Sequence, residues 1–300
     1  MMSNEQSTHA SFFDTDVATS AQRLVLAVDT SSPRASLALV RGASVLASLI
    51  SSVNAPHSKT FFDQLAMLLR LGGCQLDEVD AFAAVTGPGS FTGLRVGLSA
   101  IKGLAHTTGK PAFGVNALDA WALSSGMAGR ILIILEAGRN ESYIGIRLIT
   151  EGGGNVSDED QAMVKTDEIS EVQALQQFQA IHVETLGEDL VGASDKILAP
   201  AISSLPASRL PMFIVGDQVH RHEPLFRQLA AETGLSLMVS SRCNPGGADW
   251  QILARNWNLA EAVGLRTAER MVAGHKAELH PYYLRASDAE LKWSADEPKS

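Results

Sequence analysis

The sequence predicts an α/β protein with mixed sheets flanked by helices, and three observations carry that reading. Short β-prone segments separated by turn residues open the ordered part near Arg23. Two α–β crossings follow between residues 57 and 116. A second strand–turn–strand pattern then restarts the same plan at residue 131.

LVLAVDTSS, residues 24–32, is apolar, β-prone and ends in turn formers. ASLALVRG alternates, with Leu37 and Leu39 on one face, and Gly42 permits a turn into SVLASLISS. Three antiparallel strands follow from these segments. Asn54 to Pro56 break the pattern, and the spacing of Phe61, Leu65, Leu68 and Leu69 predicts an amphipathic helix from His57 to Leu71. Gly72 and Gly73 stop it. DAFAAVT, residues 80–86, reads as a buried strand, GPGS as a tight loop, and the stretch from Thr92 as a helix. PAFGV is a further strand, and Asn116 can cap the helix after it.

ILIILEAGRNESYIGIRLIT, residues 131–150, repeats strand, turn and strand. Slid without gaps onto residues 24–43, it places Glu136 on Asp29, Leu135 on Val28, Tyr143 on Ser36 and Ile146 on Leu39. Residues 151–210 are polar and carry a predicted helix near Glu171 to Phe178. PMFIVGD, residues 211–217, is a strand ending in a glycine turn, and helices are expected over about 222–233 and 249–274. The expected organisation is a disordered tail over 1–22, a first subdomain over 23–117, a second over 118–285 and a polar tail over 286–300. A late helix of the second subdomain is expected to pack back on the first.

Composition narrows the function. The net charge is −9 over 300 residues, and charged residues make up 19%. That is below the roughly 25% of ordinary soluble domains. An acidic chain is poorly suited to be the main grip on a nucleic acid, because phosphate binding rests on concentrated Lys and Arg. Cys74 and Cys243 are the two cysteines, too few for a disulfide framework or a four-thiolate metal site. Residues 1–22 lack the basic start and apolar stretch of a secretory signal, and no segment reaches the length of a membrane span. A cytoplasmic, reducing location is expected.

Several residues could carry chemistry. Asp29, at a strand end before small hydroxylated residues, could hold Mg²⁺ or orient a water, or could instead cap its own turn. Gly87 and Gly89 flank Pro88 in GPGSFTGLRVG, which lacks the Gly-Lys-Ser/Thr of a Walker A loop. The helix start there could cradle an anion, while Gly93, Gly97, Ala100 and Gly103 suit close packing. Arg95 could serve a phosphate, a partner carboxylate or solvent. His57 stands at a helix start, Arg139 and Glu141 stand in the second hairpin turn, and His220 and His222 follow Asp217. None of these forms a nucleophile–base–acid set.

LAVDTSSPRASLALV, APHSKTFFDQLAMLL and the long block DAFAAVTGPGSFTGLRVGLSAIKGLAHTTGKPAFGVNALDAWA resemble the TsaB (YeaZ) family. LEAGRNESYIGI and PYYLR match it more weakly. The resemblance implies an actin-like or Hsp70-like (ASKHA) ATPase fold of two ribonuclease-H-like subdomains arising by duplication. It also implies a non-catalytic partner of TsaD, acting with TsaE. That machinery transfers threonylcarbamoyl to the adenosine beside the anticodon in tRNAs that read codons beginning with A. A homodimer is implied where TsaD is absent, with tRNA met only indirectly. No cofactor of its own is implied, apart from a nucleotide at the partner interface.

The catalytic relative carries Asn-His-Leu-Glu-Gly-His, whose histidines hold a metal. The present chain reads NALDAW, with Ala117 and Trp121 in the two histidine places. Neither side chain offers a metal an imidazole nitrogen. Gly138 stands where the family often has an arginine. The partner face is expected on the helices over 57–71 and 92–108, through Phe61, Leu65, Gly93, Gly97, Ala100 and Gly103. The alternatives are a nucleotide-dependent enzyme, such as an ATPase or small-molecule kinase on the same fold, and a metallopeptidase.

Overall fold

In the computed structural model the described residues are 22–51, 57–151, 181–205, 210–241, 248–253 and 257–284. The first sheet grows from a run of apolar residues too continuous for a one-sided strand. β1 (Leu24–Asp29) is buried along its whole length, as a central strand covered on both faces must be. It pairs antiparallel with β2 (Ala35–Arg41), and β2 pairs antiparallel with β3 (Ser44–Ser51). On its other side β1 runs parallel to β4 (Ala81–Gly87), which runs parallel to β5 (Ala112–Asn116). The order is β3-β2-β1-β4-β5.

Two crossover helices cover this sheet: α1 (His57–Gly72) lies on β2 and β3, and α2 (Phe91–Thr108) lies on β4. Ser90 caps α2 by accepting from the Gly93 N–H, and Gly109 closes it in the left-handed region. Asn116 caps α3 (Ala117–Ser124) by accepting from the Leu118 N–H at 2.8 Å, as its side-chain chemistry predicts.

The second sheet comprises β6 (Gly129–Gly138), β7 (Glu141–Glu151), β8 (Ile181–Thr185), β9 (Leu190–Ala193), β10 (Met212–Val215), β11 (Leu237–Ser240) and β12 (Trp250–Leu253). Its order is β11-β12-β10-β6-β7-β8, with β9 also on β7. β6–β7 and β7–β8 are antiparallel, while β6–β10 and β10–β12 are parallel. Strand for strand, β8-β7-β6-β10-β12 repeats the order and directions of the first sheet. Along β6, Ile131, Ile133 and Leu135 join one core, and Leu132 and Ile134 join the other. That division follows from the two-residue period of a strand.

The ungapped overlay of the two hairpins is corrected by one residue. Asp29 pairs with Ser36, but Glu136 pairs with Ser142, and Tyr143 stands opposite Leu135. The second hairpin turns on Arg139 and Asn140, both left-handed, and so closes one residue sooner. A one-residue slip exchanges the faces of the strand, which is why the ungapped match misplaces Tyr143.

The helix expected over 249–274 is also corrected. Its start, Trp250–Leu253, is the buried strand β12, and α6 begins at Leu259 and ends at Val272. A four-residue run, Trp-Gln-Ile-Leu, buried on both faces carries no period that separates strand from helix. α6 then packs back on β1 and β2, against the face opposite α1. Leu39 lies against Gly72 of α1, while Val40 lies against Gly264 of α6. Two further helices, α4 (Ser194–Ser203) and α5 (Glu223–Thr233), flank the second sheet. The helix expected near Glu171 to Phe178 lies outside the described residues.

Candidate functional site

The C-terminal ends of β1, β6 and β10 converge on a cleft between the sheets. Asp29 is 2% exposed, and its Oδ1 accepts from the Ser31 N–H at 2.8 Å and from the Ser31 hydroxyl at 2.6 Å. Of its two readings, the turn-capping one is therefore realised, through Ser31. Glu136 repeats the device, with Oε1 accepting from the Gly138 N–H at 2.9 Å. Asp217, just past β10, accepts from the Glu136 N–H at 3.0 Å. Burial pushes the Asp217 carboxyl up to about 6, and the neighbouring charges of Glu136 and Asp29 push the same way.

Asp29 and Asp217 line a cavity of about 270 Å³ with Arg34, Trp121 and His220. A second cavity of about 600 Å³ lies beside it, between the Pro88–Phe91 loop, Glu136–Arg139 and Tyr282–Leu284. Among the described residues, no group of three or more His, Cys, Asp or Glu side chains could hold a metal ion. Ala117 and Trp121 are buried, and the Trp121 ring packs edge-on against Trp257 at 5.8 Å. The residues that stand at the relative's two metal-histidine positions are thus a methyl group and an indole inside a hydrophobic core, and they do not fit a metal.

Arg139 sits in the hairpin turn, lining the larger cavity, and Glu141 starts β7. The neighbouring Arg221 reaches Asn140 Oδ1 at 2.9 Å and Glu136 at 3.5 Å. His222 stands 3.3 Å from the Ser142 hydroxyl and 3.4 Å from that of Ser194. Both serines are buried, and burial together with the charge of Arg221 lowers the His222 pKa. His57 begins α1, but its side chain lies outside the described residues.

The outer surface of α1 and α2 forms a shallow groove of about 590 Å³ lined by Phe62, Phe91, Arg95, Val96 and Ser99, with Phe61 and Ala100 also contributing. Here the expected residues are redistributed. Phe61 and Leu65 are 2% and 5% exposed and belong to the core under α1, so they do not form its outer face. Phe62, one step round the helix, is 63% exposed. Gly93 and Gly97 are buried against Thr30: a Cβ on Gly93 would strike the Thr30 carbonyl, and one on Gly97 its hydroxyl. The Thr30 hydroxyl donates to the Gly93 carbonyl at 2.7 Å. These glycines bring α2 onto the end of β1 and leave no room for a partner. Ala100 is half-buried and Gly103 faces open space.

Gly87 is likewise explained by packing. It has φ 115°, and a Cβ there would strike the Tyr282 carbonyl. The C-terminal segment is seated on this loop, with the Tyr282 N–H donating to the Thr86 carbonyl at 2.8 Å. Gly89 lies against the Ser31 backbone, which accepts from the Ser90 N–H at 2.7 Å.

Sequence reasoning did not find Asp217, Phe62 or the buried ionic network around Arg147. Asp217 carries the same signal as Asp29, an acidic residue closing an apolar strand. Phe62 follows from the helical phase once Phe61, Leu65 and Leu68 are assigned to the inner face. The network has no local signal. Arg147 on β7, with its side chain 2% exposed, meets Asp119 of α3 at 2.6 Å and Asp189 at 2.7 Å. Burial opposes its charge, and the two carboxylates more than offset that, so its pKa is raised.

Residues 45–293 match the family model described as TsaD: tRNA N6-adenosine threonylcarbamoyltransferase. The chain is 23% identical over 270 residues to the tRNA threonylcarbamoyladenosine biosynthesis protein TsaB of Bacillus subtilis, covering 90% of this chain and 97% of that one. It is 28% identical over 218 residues to TsaB of Escherichia coli, covering 67% and 93%. In structure it is similar to YeaZ from Pseudomonas aeruginosa, with a TM-score of 0.59 at 20% identity, over 87% of this chain and all of that one. The mixed α/β fold is the one shared with YeaZ. The chain belongs to the TsaD family of tRNA N6-adenosine threonylcarbamoyltransferases, and within it to the TsaB/YeaZ group.

Proposed function

We propose that this chain is a non-catalytic partner subunit for threonylcarbamoyl transfer to tRNA, docking on TsaD and working with TsaE. The observation that supports it most is the near full-length match to TsaB, joined to the hydrophobic replacement of both metal histidines at Ala117 and Trp121. In this reading the two sheets are the two ribonuclease-H-like subdomains of an actin-like fold, divided near residue 117. The docking face is the outer surface of α1 and α2. Phe62, Val96 and the ring of Phe91 supply apolar area, and the exposed Arg95 supplies charge at its edge. In the absence of TsaD the same surface serves a homodimer, and tRNA is met through the partner.

The test is reconstitution from purified parts: tRNA, the threonylcarbamoyl-adenylate-forming enzyme, TsaD, TsaE, ATP, threonine and bicarbonate, with nucleosides read by mass spectrometry. Modified adenosine is expected only when this chain is added. Phe62→Asp is expected to remove both association with TsaD and product while leaving the fold intact. Product formed equally without the chain would overturn the reading. Gly97 is unsuited to this test, because a charge placed against Thr30 disrupts α2 packing itself.

The carboxylates at the strand ends favour one alternative, a nucleotide-dependent enzyme using the cleft. Turnover of ATP by the isolated chain, lost in Asp217→Asn, would establish it.

A further inference from the structure

The C-terminal segment 278–284 touches five separate parts of the fold. The Gly114 N–H at the outer edge of β5 donates to the Glu278 carbonyl at 2.6 Å, and Leu279 is buried in the main core. Tyr282 is tied through its backbone to Thr86, and its hydroxyl stands 3.4 Å from Asp189, which is paired to Arg147. Tyr283 packs its ring on Phe91 at 5.4 Å with a 42° tilt. The guanidinium of Arg95 in turn lies over the Phe91 ring at 3.8 Å.

Phe91 and its neighbour Thr92 are common to two surfaces, and Phe91 is the aromatic one of the pair. It lines the larger cleft cavity together with Tyr282 and Tyr283, and it lines the α1–α2 groove together with Phe62, Arg95 and Val96. Tyr283 borders the first and is absent from the lining of the second. An aromatic ring fixed by a neighbouring ring presents a defined surface to a partner, because fewer rotamers remain to be lost on binding. The row Tyr283–Phe91–Arg95 therefore runs from the cleft to the groove, and its cleft end belongs to a segment tied to both sheets.

We infer that Tyr283 is a positioning residue for partner docking: through Phe91 it sets the pose of Arg95 and the aromatic edge of the α1–α2 groove. This rests on the proposed docking of TsaD to that groove. Tyr283 does not line the groove, so its effect is assigned to order imposed on Phe91 and not to lost contact area.

The experiment uses the full chain with purified TsaD, reading affinity by titration calorimetry and amide exchange of Phe91–Arg95 by mass spectrometry in the free chain. Tyr283→Ala is expected to speed exchange at Phe91–Arg95 and to weaken TsaD binding about two- to tenfold, the range for loss of one aromatic pair. Tyr283→Phe, which keeps the ring, is expected to restore both. Wild-type binding with Tyr283→Ala binding equally well overturns the positioning role and leaves the docking reading standing. A wild-type chain that does not bind TsaD at all overturns the docking reading, and the role of Tyr283 in it, whatever the exchange data show. Should Tyr283→Ala not fold, the wild-type chain decides alone. Docking is expected to slow exchange of the Tyr282 amide, and an unchanged rate overturns the coupling.

Discussion

The two sheets repeat one order of strands and are stabilised in different ways. In the first, β1 lies between α1 and α2 on one face and α6 on the other, and its core is hydrocarbon drawn from both sides. In the second, the corresponding hairpin carries a buried arginine on β7, held by Asp119 and Asp189. Both hairpins end β1 and β6 with a carboxylate that accepts the N–H two residues on. The shared backbone plan thus fixes the strand-end device. What varies is the material packed around it, and with it the use each half can serve. The first half presents aromatic side chains outward, Phe62 on α1 and Phe91 on α2. The second anchors the C-terminal segment through Asp189.

The largest expected effect breaks the hydrocarbon side of that contrast. Phe61→Ala should destabilise the fold by about 3–5 kcal/mol, the usual cost of emptying a buried aromatic site. Phe62→Ala, one residue on, should change stability by less than about 0.5 kcal/mol. Paired denaturant titrations read the difference, and equal losses at the two positions would mean that α1 is rotated from the orientation described.

Next comes the ionic side. Asp189→Ala leaves Arg147 buried with a single carboxylate and should cost roughly 3 kcal/mol. It should also loosen Tyr282, visible as faster exchange of that amide. If stability is unaffected, the buried network is not what distinguishes the second half.

The next effect belongs to the buried carboxylate of Asp217 and is read by pH. Asp217 has a native pKa of about 6 against 3.8 for the ordinary group. Between those values the native state holds a proton that the unfolded chain has released. Stability therefore falls as pH rises from about 4 to 6 and stays lower above it. Asp217→Asn removes that loss, on the order of 3 kcal/mol, so its stability should exceed wild type above pH 6 and its profile should flatten. Denaturant midpoints measured at steps of pH across this window decide it.

The smallest effect concerns the junction of the halves. Asn116→Ala removes the cap of α3 and should cost about 1 kcal/mol in thermal unfolding, with the sheet order unchanged.

The first three strands, both crossover helices, the cap at Asn116 and the restart at residue 131 were legible in the sequence, whereas the cap at Ser90 was hidden in a segment that reads as a loop. Each depends on a local period, a turn residue or a capping side chain. β12 was not legible, because Trp250–Leu253 is too short and too uniformly buried to display a period. The one-residue difference between the hairpins was equally hidden, since it depends on two left-handed residues, Arg139 and Asn140, neither of them glycine. Of the site, Asp29 and the GPGS loop stood out by composition, but their roles did not. A carboxylate beside serines reads alike whether it binds a ligand or its own turn.

Spacing and composition were enough for the class of fold, the repeated plan and the absence of an imidazole at Ala117 and Trp121. These are properties of spacing and side-chain chemistry, which are fixed before the chain folds. Only the tertiary structure decided that Phe61 faces inward and Phe62 outward, and that Gly93 and Gly97 receive Thr30 in place of a partner. It alone joined Tyr283 to Phe91 and Tyr282 to Asp189, pairs separated by 192 and 93 positions along the chain. Such contacts carry no local signal, because they arise when distant segments compete for the same buried surface.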